Sequence, residues 1–159
     1  MSNIPQWCLP TVEKIVDISN NMKLWYADDV WALCGESAIF YLNYMYYHLN
    51  QEKKFVNDDQ FNWDNINKPN IIQVLVTDRK PKYIYYEKIN DNNIYKIDDE
   101  YNLHILFFHK MPELITINGI PTLTAKSLYN VYVCVADNKY IQLIKIPLLI
   151  ENSDSFIEN

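Results

Sequence analysis

Residues 33–50 read LCGESAIFYLNYMYYHLN. From Ala38 onward, Ile39, Phe40, Leu42, Tyr44, Met45, Tyr46 and Leu49 leave a helix of this sequence almost no polar face. A helix apolar on nearly all sides must be covered on most of them. The segment, starting between Asp28 and Cys34 and running to about Asn50, is therefore predicted to be the central, buried helix of the core. Upstream, Pro10 can occupy a first helical turn, where its missing N–H costs nothing. Val12, Ile15, Val16 and Ile18 then form a helical stripe up to about Asn20.

Downstream the pattern changes. Residues 51–70, QEKKFVNDDQFNWDNINKPN, are polar and end near a proline, which reads as a loop with one helical turn around Phe61 and Trp63. From Ile71 the chain falls into short β-branched or aromatic runs: IIQVLV, KYIYYEKI, NIYKI, LHILFFHK, LITI, VYVCVA and YIQLIKI. Connectors of two to four residues suit hairpins and leave no room for crossover helices. The expectation is one α+β domain over residues 1–159: a helical part at about 10–50, a polar loop at about 51–70, and a mostly antiparallel sheet of five to seven strands at about 71–147. The tail 152–159 reads as frayed.

A chain of 159 residues can bury a sizeable core without staples. Apolar residues make up 49% and charged residues 21%, which excludes a disordered or fibrous chain. The three cysteines, Cys8, Cys34 and Cys134, are odd in number and unpaired in spacing. No stretch has the layout of a signal peptide or the length of a membrane span. A soluble protein of a reducing compartment, the cytoplasm, is expected. The net charge of −6 argues against a nucleic-acid partner, because such affinity rests on Lys and Arg neutralising phosphates. No cofactor is implied, and no Cys/His spacing fits a metal site.

Only two glycines occur in the chain, and one of them follows Cys34 at the mouth of the buried helix. A cysteine nucleophile acts as thiolate, and a helix N-terminus supports that anion through free N–H groups and the helix dipole. A glycine beside it lets a substrate carbonyl approach the backbone. The base it needs can be remote in sequence. Of His104 and His109, which point to opposite faces of one strand, His104 lies deeper in its run and is the candidate base. Asn118, at the end of the next strand, is the candidate orienting group for the imidazole. A second arrangement fits the same residues: Cys34 in mid-helix as a small buried residue, Gly35 allowing close packing against the sheet, and His104 a satisfied core histidine.

The segment CGESAIFYLNY resembles the nucleophile helix of the papain-like superfamily, including leader-removing peptidases with Cys-Gly-x-x-Ala and transglutaminase-like enzymes with Cys-Gly-Glu. The resemblance implies a cysteine hydrolase or acyltransferase acting on a peptide or amide bond, with Cys34, His104 and Asn118 in that order along the chain. Those peptidases place a Gln about six residues before the Cys as oxyanion donor. Here that position is Asp28, and Trp31 is the substitute donor that the transglutaminase-like enzymes imply.

Another class of function fits the charge. Acidic residues at Asp58–Asp59 and at Asp98, Asp99 and Glu100, near Tyr83, Tyr85, Tyr86 and Tyr101 in the chain, would steer and anchor a basic protein partner. That describes a non-catalytic inhibitor or immunity-type protein.

Overall fold

The computed structural model describes residues 4–78, 84–134, 138–154 and 156. Tyr83 lies outside these, as does the side chain of Cys134, expected in the core. The elements in chain order are α1 (Cys8–Trp25), β1 (Trp31–Leu33), α2 (Gly35–Lys53), two single-turn 3₁₀ helices (Asp58–Gln60 and Trp63–Asn65) and β2 (Ile71–Val76). There follow β3 (Glu87–Asn90), β4 (Ile94–Lys96), β5 (Asn102–Phe107), β6 (Leu114–Ile117), β7 (Ile120–Leu123), α3 (Ala125–Cys134) and α4 (Asn138–Glu151). The fold is α+β, with helices packed on a sheet and α2 largely buried.

The seven strands form one sheet in the order β3-β4-β5-β2-β1-β7-β6. Four of its pairings are antiparallel; β2 with β5 and β1 with β7 are parallel. The parallel pair β2–β5 needs no crossover helix, because the β3–β4 hairpin fills the connection. Ile72 pairs with Leu103 and Val74 with Ile105, so alternation puts these four buried residues on one face. Tyr101, two residues before Leu103, shares that face and meets the Thr11 hydroxyl of α1 at 2.9 Å. Helix α2 packs against α4 and reaches the residue just ahead of α1. Its Phe40 ring contacts Trp7, just ahead of α1, at 5.3 Å, and its Asn43 amide donates to the Leu143 carbonyl of α4 at 3.1 Å.

Three expectations need correcting. The sheet begins before α2, because Trp31–Leu33 is a strand at its centre, between β2 and β7. Residues 131–134 of VYVCVA lie in α3 and all of YIQLIKI lies in α4, so among the described residues the last strand ends at Leu123 rather than near 147; residues 135–136 lie outside the described set. β-Branched and aromatic residues favour strands only weakly, and packing overrode that preference. In α4, Ile144, Pro147 and Ile150 recur three apart on the buried side, a helical spacing. The tail is not frayed at Phe156, whose ring stands against Tyr46 and Phe55 at 5.7 and 6.4 Å; residues 155 and 157–159 lie outside the described set. No helix among the described residues is long and apolar enough to cross a membrane.

Glu151, at the end of α4, ties the C-terminal helices to α2. Its carboxylate accepts the Ala125 N–H that opens α3, at 2.9 and 3.1 Å, and the Tyr46 hydroxyl of α2 at 2.8 Å. Burial pushes this carboxyl up, and the nearby Glu113 adds to that, against the lowering by those donors; the net shift is upward from 4.5. A carboxyl raised in the folded state holds its proton longer than in the unfolded chain. Its contribution is therefore full below about pH 4.5 and falls as pH rises through the folded pKa. Urea titrations should show Glu151→Gln removing a decline in stability between pH 4.5 and neutrality; an unchanged slope would contradict this account of Glu151.

Candidate functional site

Cys34 stands where α2 begins. It is the N-cap residue, in extended conformation, and its own side chain makes no cap hydrogen bond. Its N–H donates to the Gln73 carbonyl of β2 at 3.0 Å, continuing the β1–β2 ladder by one residue. The cap comes from across the sheet: the Gln73 side-chain oxygen accepts the Glu36 N–H at 3.1 Å. Ser37 finishes the junction, accepting the Gln73 N–H at 2.9 Å and donating to the Ile71 carbonyl at 3.1 Å. In this way the first turn of α2 satisfies the part of β2 that the short β1 leaves open.

Gly35 makes that junction possible. Its φ of +57° lies in the left-handed region, and a Cβ there would sit 2.0 Å from the Gln73 amide oxygen. The glycine beside the cysteine thus has a structural reason: the chain turns sharply from strand to helix under a side chain that needs the same space.

The expected catalytic set is not brought together. His104 pairs with Gln73, which itself sits opposite Cys34, so β2 lies between thiol and imidazole. Two ladder steps separate their backbones by about 10 Å, where direct contact was expected. Asn118 is farther off. It was expected on a strand next to β5, but β2, β1 and β7 lie between β5 and β6. Asn118 and Gly119, at φ +50° and +76°, form the two-residue loop of the β6–β7 hairpin. Asn-Gly is the favoured pair for such a turn, because both positions need positive φ.

Trp31 is fully buried in β1, and its indole N–H has no hydrogen-bond partner among the described residues. Strand alternation turns it to the face opposite Cys34, which removes it as an oxyanion donor there. Asp28 is exposed in the turn before it. Cys34 itself is 4% exposed, and burial pushes its thiol up to about 12. The same cause takes Cys8 to about 12.

The acidic turn before β5 is neutralised locally. Asp98 meets Lys14 at 2.5 Å, Asp99 meets Lys96 at 3.6 Å and Glu100 meets Lys68 at 3.8 Å. Burial raises the Asp98 carboxyl, but Lys14 and the N–H groups of Glu100 and Tyr101 outweigh it and hold it below its ordinary value. Tyr101, expected as an exposed anchor, is 3% exposed, with Lys68 and Lys14 over its ring at 5.1 and 5.8 Å. Three carboxylates facing three ammonium groups make a poor steering patch.

A groove that the sequence pattern does not announce runs beside the C-terminal half of α2. Met45, His48, Leu49 and Glu52, spaced i, i+3, i+4, i+7, line one wall; residues 115–119 of the hairpin form the other, and Phe156 contributes to the lining. Its volume, about 560 Å³, falls within the range of ligand sites. Among the described residues of the lining, Glu52 is the one Asp, Glu, Lys or Arg. The signal that could have found it is the hairpin: Asn-Gly after LITI places a turn against the helix.

Among the described residues, no group of three or more His, Cys, Asp or Glu is placed to hold a metal ion. Comparison with family models, characterised proteins and solved structures finds no match to this chain.

Proposed function

We propose that this chain is a non-catalytic binding protein for a basic partner, of the inhibitor or immunity type. The observation that carries the reading is the placement of Cys34, 4% exposed and separated from His104 by β2. A nucleophile needs its thiolate, and a thiol pushed to about 12 supplies almost none at neutral pH. The net charge of −6 favours a cationic partner.

Two measurements test this together. The folded protein is treated at pH 7 with a peptidyl acyloxymethyl ketone, which traps peptidase-type thiols, and is titrated by anisotropy with a labelled peptide alternating Lys and Val. No trapping of Cys34 and saturable binding that weakens with salt are expected. Trapping that disappears in His104→Ala would replace the reading with the papain-like hydrolase.

A further inference from the structure

We infer that the groove between α2 and β6 receives an extended segment of a protein partner, which pairs with β6 and sets a basic side chain against Glu52. This rests on the binding-protein reading above and names its site. Among the described residues β6 is the last strand of the sheet, so one of its edges has no partner strand there. The two-residue loop makes Ile117 and Ile120 the hydrogen-bonded pair that closes the hairpin. The next pair, Thr116 with Pro121, is then of the non-hydrogen-bonded kind. The N–H and C=O of Thr116, a residue that lines the groove, therefore point outward at the sheet edge. An outward-facing strand edge is a template for one more strand.

The walls state what that strand should carry. Met45, Leu49, Ile115 and Ile117 offer apolar contact, and Glu52 is the one fixed charge. Among the described residues no Lys or Arg lines the groove, so a carboxylate on the ligand would meet Glu52 with no described cation to offset it. An alternating apolar peptide with one lysine or arginine matches both features, backbone edge and charge.

The probe is a labelled heptapeptide of alternating Val and Thr with a central Lys, alongside its central-Glu counterpart, titrated by anisotropy against the full chain. The Lys peptide should bind, and the Glu peptide should bind at least about tenfold more weakly. Glu52→Gln should weaken the Lys peptide about 3- to 5-fold, the size of an exposed ion pair. Thr116→Pro, tolerated on an edge strand but lacking the outward N–H, should abolish binding. Met45→Lys leaves the edge intact and should erase most of the preference for the Lys peptide, because the added ammonium offsets Glu52.

Equal binding of the two peptides, indifference to all three variants, or no binding of the Lys peptide at millimolar concentration would each overturn the inference. So would a dimer, seen by sedimentation and lost in Thr116→Pro, since the groove would then hold a second copy of this chain. If the Lys/Val peptide still binds while these variants have no effect, the groove fails and the binding-protein reading stands. Trapping of Cys34 by the ketone that disappears in His104→Ala is the result that ends the reading itself.

Discussion

Gly35→Ala is expected to destabilise the fold by about 1.5–4 kcal/mol, a midpoint shift of about 3–16 °C for a chain of this size. Two terms add. A residue with a Cβ held at φ +57° costs about 1–2 kcal/mol. The new methyl also cannot coexist with the Gln73 amide oxygen, 2.0 Å from its ideal position. Gln73 must swing away and release the Glu36 N–H, which costs about 0.5–2 kcal/mol, as for a lost N-cap. The two positions should therefore couple. Gln73→Ala removes the cap but opens the space, so the double variant should be less destabilised than the sum of the singles. Chemical denaturation of the four proteins checks this. Strict additivity, or a stable Gly35→Ala, would mean that α2 starts differently.

The same junction shows what could be read along the chain and what could not. The amphipathic stripe of α1 and the apolar circumference of α2 are local periodicities, and both helices appear where those patterns lie, α1 running on to Trp25. IIQVLV and LITI are strands as their composition implies. Trp31–Leu33 was absorbed into the α2 reading because three residues carry no period; only its partners β2 and β7 make it a strand. Helices α3 and α4 were misread because Val, Tyr and Ile are common to strands and buried helices, and their burial depends on contacts with α2 that local patterns do not report.

The site fared worse for a physical reason. Gln73 caps α2 from 37 residues away, and a cap supplied by another strand leaves no mark near Cys34. Asn118 carried a legible signal of a different kind: Asn-Gly between two apolar runs is turn chemistry, which explains the residue without any role for His104. Asp98 to Glu100 looked like a charged patch because the opposing lysines, Lys14 and Lys68, come from distant segments.

The pH dependence of alkylation tests most directly the proposal that Cys34, buried at a strand-to-helix junction, does not serve as a nucleophile. With iodoacetamide on the folded protein, and each cysteine followed by peptide mass spectrometry, the rate at Cys34 is set by its thiolate fraction. A thiol at about 12 rather than 9.0 holds about a thousandfold less thiolate at pH 8. The account predicts a rate at Cys34 still rising at pH 10, with no plateau, and the same in His104→Ala. A rate that levels off below pH 8, with a midpoint raised by His104→Ala, would contradict it, because only a thiolate paired with that imidazole titrates so low.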